Sequence, residues 1–92
     1  MVYDWNDEKN ELLIEERGIS FEEIVAYIEA GNLIDTIEHP NPKKYPGQKV
    51  HVVCANNYVY LVPFISNKES LFLKTIIPSR KFTKKFLGEN NG

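Results

Sequence analysis

The hydrophobic pattern of the chain changes period at Leu33, and this change limits the fold more than any other feature of the sequence. Before Leu33, apolar residues lie between helix-capping and helix-stop signals, whereas after it they alternate with polar residues as in strands. Helical segments followed by a run of strands are typical of an α+β domain. Because 92 residues suffice for one hydrophobic core, we expect a single domain.

Two helices are predicted in the first part of the chain. A brief strand over Tyr3–Trp5 precedes Asn6, which is suited to cap a first helix that stops at Gly18. The run Ser-Phe-Glu-Glu from Ser20 is a capping box and predicts the start of a second helix. We expect this helix to run to Ala30 and to end at the glycine that follows.

The second part of the chain is predicted to be strands, over Leu33–Glu38, Lys49–Ala55, Tyr58–Phe64 and Leu71–Ile77. Asn56 and Asn57 suit a two-residue hairpin turn, and Pro63 predicts a bulge or a strand end. Ser79 is a plausible N-cap for a short basic helix at the end of the chain. The predicted fold class is α+β, with the order β-α-α-β-β-β, an antiparallel meander sheet, two N-terminal helices and a short C-terminal helix.

One long loop interrupts the strands. Residues 39–48 contain three prolines and a glycine and exceed the length of an ordinary hairpin connection. Lys43, Lys44 and Tyr45 lie inside this loop, and its length favours a binding role.

Charge is distributed unevenly along the chain. Residues 1–40 carry eleven acidic and two basic side chains, whereas residues 41–92 carry nine basic and two acidic ones. The total of −2 argues against a dedicated nucleic-acid-binding protein. The basic half could nevertheless hold a polyanion or an acidic partner.

Several classes of protein are disfavoured by the sequence. Cys54 is the only cysteine and cannot form an intrachain disulfide. No apolar run approaches 18 residues and the start of the chain is acidic, so we expect no membrane association and a cytoplasmic location. His39 has no second ligand at metal-binding spacing, so we expect neither a metal nor a cofactor. Residues 88–92 are expected to form a flexible tail.

Three segments, taken in order, resemble the BrnT family of type II toxins. They are Tyr-Asp-Trp-Asn-Asp-Glu-Lys-Asn-Glu (3–11), Glu-Arg-Gly-Ile-Ser-Phe-Glu-Glu (16–23) and Ile-Ile-Pro-Ser-Arg-Lys-Phe-Thr-Lys-Lys (76–85). The resemblance implies a single RelE-like domain over residues 1–87. It also implies a metal-independent ribonuclease (an mRNA interferase) that inhibits translation in bacteria. Its expected partners are an RNA substrate and a cognate antitoxin, usually a ribbon-helix-helix protein, which neutralises the toxin.

The sequence departs from the family at two places. The family often carries an arginine where this chain has Thr75, and a Thr-Glu-Arg turn near residues 64–66. These departures leave an alternative open, in which the chain is a non-catalytic RelE-fold interaction module that binds a ribbon-helix-helix antitoxin or a regulator. A generic nucleic-acid-binding regulator is a third hypothesis.

Four residues are predicted to be catalytic. Arg80 takes the position of the closing arginine of the family, and its planar guanidinium suits two phosphate oxygens. Lys74 or Lys81 is expected to lie beside it, and both are placed in the catalytic group. His51 is the candidate general base, because it would point to an open face of the sheet if Val50 and Val52 faced the helices.

Five further residues are predicted to bind substrate. Lys84 and Lys85 would attract RNA, and Lys49 is placed in the same group. Tyr58 and Tyr60 share one face of a strand, where they would either stack on bases or pack across strands.

Overall fold

The computed structural model describes residues 2–88, which begin with strand β1 (Val2–Asp4), helix α1 (Asp7–Arg17) and helix α2 (Phe21–Tyr27). The Asn6 side chain caps α1 by accepting the Lys9 N–H at 2.8 Å. Gly18, in the left-handed conformation with φ +68°, follows the last residue of α1. The predicted bounds of α1 are therefore confirmed.

The predicted capping box at the start of α2 is also confirmed. The Ser20 hydroxyl accepts the Glu23 N–H at 3.0 Å, and the Glu23 carboxylate accepts the Ser20 N–H at 2.8 Å. The α-helix ends at Tyr27, however, and not at Ala30. The chain continues as a wider π-type turn over Ile28–Asn32, in which Gly31 takes a φ of +95°.

A buried asparagine joins α1 to α2. Asn10 is 5% exposed, and its side-chain oxygen accepts the N–H of Phe21, the first residue of α2, at 2.7 Å. Its side-chain nitrogen donates to the Glu22 carboxylate at 2.7 Å. This bond is the main reason why the pKa of Glu22 lies below its usual value. Asn10 thus satisfies a backbone donor that α2 cannot satisfy by itself.

The remaining elements are β2 (Leu33–Glu38), β3 (Lys49–Ala55), β4 (Tyr58–Ser66), β5 (Ser70–Leu73), β6 (Ile77–Pro78) and α3 (Arg80–Leu87). The sheet has the order β1-β5-β4-β3-β2, and β6 pairs with β4. Strands β2 to β5 form the predicted antiparallel meander. Strand β1 is parallel to β5, so the sheet is mixed and not purely antiparallel. The predicted order β-α-α-β-β-β has three strands after the helices, whereas the structure has five there within residues 2–88, β2 to β6.

Both asparagines of the β3–β4 hairpin have positive φ, +55° at Asn56 and +61° at Asn57. This geometry matches the right-handed twist of the two strands and confirms the predicted turn.

The last predicted strand is broken in its middle. β5 pairs with β4 as far as Leu73, and β6 resumes the pairing at Ile77. Between them, the Pro63 carbonyl of β4 accepts the Lys74 N–H at 2.8 Å. Because Pro63 offers no N–H to the same edge, the ladder cannot continue there. β4 itself runs through Pro63, so the predicted irregularity lies in the neighbouring strand, over residues 74–76.

Both faces of the sheet are covered. On one face, α1 and α2 contribute Leu13, Phe21 and Ile24 to a core cluster that includes Val53 and Val62, all at most 2% exposed. Trp5 stacks on Phe21 with 5.6 Å between ring centroids, as expected for core residues. We call this the helix-covered face.

Side chains of alternate residues point to the other face. Val50, Val52 and Val59 are buried there without belonging to the core cluster. Helix α3 contacts β4, and loop 39–48 lies against Pro63 and Ile77 on this side. We call it the cleft face, after the cleft described below.

Strand β2 forms one edge of the sheet and pairs with β3. Its register shifts between Leu33 and Asp35, and Leu33 and Ile34 are each 36% exposed. Within residues 2–88, no helix has the length and apolar character needed to cross a membrane.

Candidate functional site

A cleft of about 240 Å³ opens where loop 39–48 meets the break between β5 and β6. It is lined by His39, Tyr45, Gln48, Pro63, Lys74, Thr75 and Ile77. The loop and the broken strand thus form two walls, with Pro63 of β4 between them. The break in the ladder therefore contributes directly to the cleft.

The loop that forms one wall is held by its own hydrogen bonds. The His39 N–H donates to the Gln48 carbonyl at 3.3 Å, and the Tyr45 N–H donates to the Asn41 carbonyl at 3.0 Å. The Lys44 N–H donates to the Asn41 side chain at 3.3 Å. Three prolines within the loop further restrict its backbone. These hydrogen bonds and prolines restrain the backbone of the cleft wall.

Two aromatic rings form part of this wall. His39 and Tyr45 stack with 4.4 Å between their centroids, and the Lys44 ammonium lies 5.4 Å from the Tyr45 ring centroid. The His39 Nδ1 accepts the Asn41 N–H at 3.0 Å. A neutral imidazole bonded in this way carries its proton on Nε2, which makes Nε2 a hydrogen-bond donor.

Lys74 supplies the positive charge that lines the cleft. Its backbone is fixed by the bond to Pro63, while its exposed ammonium lies 5.4 Å from the centroid of the Phe72 ring. Lys74 is thus the one predicted catalytic residue among those that line the cleft.

Arg80 lies further along the same edge of the sheet. The Ser79 N–H donates to the Val59 carbonyl at 2.9 Å, and Ser79 caps α3 by accepting the Phe82 N–H at 3.1 Å. The predicted N-cap is therefore confirmed. Val59 and Pro63 are four residues apart on β4, about 13 Å at strand spacing. Arg80 and Lys74 therefore lie on the same edge of the sheet, but their backbones are attached to β4 at positions about 13 Å apart.

The basic residues of α3 form a surface of their own. Arg80, Lys81, Lys84 and Lys85 are all exposed. The Lys85 ammonium lies 5.7 Å and 5.4 Å from the ring centroids of Phe82 and Phe86. The helix is attached to the sheet by Thr83, whose hydroxyl accepts the Val59 N–H at 2.9 Å. We call these four residues the α3 basic surface.

The expected position of His51 is wrong. Val50 and Val52 point to the cleft face, so His51 lies on the helix-covered face and is 6% exposed. Its Nδ1 hydrogen-bonds the Thr36 hydroxyl at 2.8 Å, its ring lies 4.2 Å from that of Phe64, and its Nε2 has no partner. Burial lowers the pKa of His51. Such a histidine is out of reach of a substrate in the cleft.

Three predicted substrate-binding residues also lie on the helix-covered face. Tyr60 is partly buried against the core cluster and contacts Tyr58 edge-on at 5.7 Å. The pKa of Tyr60 is raised, mainly by burial and then by the charges of neighbouring groups. Lys49 is exposed at the start of β3, where it pairs with Glu38 of β2. The structure does not bring these residues together with Lys74.

Sequence reasoning identified the loop but not the two residues, His39 and Gln48, that meet Lys74 across the cleft. The signal was the length and proline content of the loop. These features predicted a binding role but did not show which residues of the loop face the cleft. Thr75 also lines the cleft. Among residues 2–88, no group of three metal-binding side chains is found.

Comparisons with protein-family models, with curated proteins and with solved structures find no match to this chain. Over residues 2–88 the fold is α+β, with three α-helices and a mixed sheet.

Proposed function

We propose that this chain is a BrnT-type toxin with a RelE-like fold. It would act in the bacterial cytoplasm as a metal-independent endoribonuclease that inhibits translation, and a cognate ribbon-helix-helix antitoxin would neutralise it. The observation that carries the proposal is the cleft at Lys74, which lies on the same sheet edge as the α3 basic surface. The three family-like segments of the sequence support it further.

The site chemistry suits a phosphodiester. Lys74 offers an ammonium group and His39 an Nε2–H, so both groups favour a bound anion. Arg80 offers a guanidinium that can hold two phosphate oxygens at once. An RNA strand that follows the sheet edge from the cleft to α3 would meet these groups in turn.

Cleavage without a metal requires three events. The RNA 2′-oxygen loses its proton and attacks the adjacent phosphorus, negative charge builds on the phosphoryl oxygens, and the 5′-oxygen leaves with a proton. Arg80, with Lys74 or Lys81, would stabilise the charge in the transition state. His51 takes no part in this scheme because it is buried on the other face.

The test is controlled expression without an antitoxin, together with an RNA cleavage assay in the presence of a chelator. We expect growth arrest and cleavage with the natural chain, and loss of both with Arg80→Ala or Lys74→Ala. Lys68→Ala is the matched control, since Lys68 is an exposed lysine in the turn between β4 and β5. The proposal fails if the natural chain neither arrests growth nor cleaves free or ribosome-bound RNA.

A second candidate function is a non-catalytic interaction module that binds a ribbon-helix-helix antitoxin or a regulator. It is favoured by the presence of Thr75 in the cleft, where the family often has an arginine, and by the burial of His51. This function predicts tight binding of a small partner protein without toxicity. Toxicity that depends on Arg80 would exclude it.

A further inference from the structure

The cleft combines three chemical features that a binding site for a small inorganic anion does not need together. It has an apolar side made of Pro63 and Ile77, an aromatic wall made of His39 and Tyr45, and one cation at Lys74. A site for phosphate alone needs donors and positive charge, but it needs neither an aromatic wall nor an apolar one. A planar ring attached to an anion uses all three features.

The size of the cleft limits what it can hold. Its volume of about 240 Å³ lies below the range of roughly 300–1,000 Å³ that is typical of sites for drug-sized ligands. The cleft therefore fits a single ring with its substituents and not a longer stretch of polymer. Its rim continues along the sheet edge toward Ser79 and the α3 basic surface, so a polymer could leave in that direction.

The wall also offers groups that can distinguish one ring from another. The Nε2–H of His39 is a donor, and the Gln48 side-chain amide offers both a donor and an acceptor. The hydrogen bonds within loop 39–48 restrain its backbone, and a restrained wall lowers the entropic cost of binding. Such a site can therefore distinguish one base from another by the hydrogen-bonding groups on the edge of its ring.

We infer that this cleft binds one nucleotide of a single-stranded RNA. The base lies against the His39–Tyr45 wall and the Pro63–Ile77 side, and its phosphate lies on Lys74. The inference rests on the proposed function, because it assigns to loop 39–48 the selection of the base next to the site of cleavage. Cleavage itself is left to the α3 side of the site.

The first test maps binding on the natural chain by NMR. Amide shifts are followed during titration with each of the four ribonucleoside monophosphates, with ribose 5-phosphate and with inorganic phosphate. We expect nucleotides to shift residues 39–48 and 74–77 more than either ring-free phosphate does, and the four bases to differ. Equal shifts from all probes would reduce the site to a plain anion site. Shifts confined to α3, or no shifts, would also overturn the inference.

The second test measures the affinity of a short labelled single-stranded RNA. Removing an aromatic group that stacks on a base weakens binding by roughly 5- to 150-fold, so we expect Tyr45→Ala to fall in this range and Tyr45→Phe to bind nearly as the natural chain does. Tyr58→Ala is the control, since Tyr58 lies on the helix-covered face. Equal affinity of Tyr45→Ala and the natural chain would overturn the inference, and the NMR map does not depend on how this variant folds.

The inference and the proposed function can fail separately. Growth arrest and RNA cleavage without nucleotide binding at the cleft would reject the inference and leave the function standing. Nucleotide binding at the cleft without arrest or cleavage would reject the ribonuclease and leave a nucleotide site.

Discussion

The two faces of the sheet are built in different ways. The helix-covered face is a continuous apolar cluster in which buried polar groups are few and mostly satisfied within the fold. The cleft face has a smaller buried strip, an ordered loop and exposed cations. The comparison teaches that the buried apolar packing is concentrated on one face, whereas the cleft and the exposed cations lie on the other. Phenylalanine, asparagine and histidine each occur on both sides, and residues of each type test this division.

The phenylalanines give the largest expected difference. Phe21 is fully buried and stacks on Trp5, whereas Phe86 is 37% exposed on α3. We expect Phe21→Ala to lower the free energy of unfolding by about 3–5 kcal/mol, because it leaves a cavity in the core. Phe86→Ala should lower it by much less. Urea denaturation followed by circular dichroism measures both, and similar losses would contradict the division between the faces.

The asparagines test the same division for hydrogen bonds. Asn10→Ala leaves the buried N–H of Phe21 without an acceptor, so we expect a loss of about 1–3 kcal/mol. Asn41→Ala removes a bond within the exposed loop and should change stability by no more than about 0.5 kcal/mol. Asn41→Ala should instead broaden or shift the amide signals of loop 39–48. A larger loss of stability from Asn41→Ala than from Asn10→Ala would reverse the comparison.

The histidines sharpen the comparison through pH. Burial lowers the folded-state pKa of His51 from 6.5, so between that lowered value and 6.5 the unfolded chain binds a proton that the folded chain does not. The contribution of His51 to the free energy of unfolding is therefore present at neutral pH. It is lost as pH falls through this window, by at most about 1.4 kcal/mol per pH unit for one proton.

The measurement is urea denaturation at several pH values between about 7.5 and about 5, a range that keeps most carboxylates charged. We expect His51→Phe to flatten this loss of stability. A slope that persists in His51→Phe would show that another group causes it.

Local signals predicted the helix starts and the hairpin correctly. Asn6, Ser20 and Ser79 act within three residues of themselves, and the Asn56–Asn57 turn requires only its own backbone conformation. The direction of β1 was not predictable in this way, since its partner β5 lies more than sixty residues further along the chain. Parallel and antiparallel pairing have no local signature in so short a strand.

The candidate site was predictable only in part. Lys74 and the length of loop 39–48 pointed to it, but the meeting of the two walls depends on the break that Pro63 imposes on its neighbour. The error at His51 has a simple origin. In β3 the residues on both faces are buried, so alternation of apolar side chains could not show which face the helices cover.

The exposed edge of the sheet at β2 has a consequence for how molecules meet one another. A straight, uncharged edge strand would offer its free backbone groups to the same strand of a second molecule and start a growing aggregate. β2 combines a register shift after Leu33 with two carboxylates, Asp35 and Glu38, on a six-residue strand. Two such edges brought together would repel each other and fit poorly. The β2 edge is therefore protected against edge-to-edge association, although Leu33 and Ile34 are partly exposed.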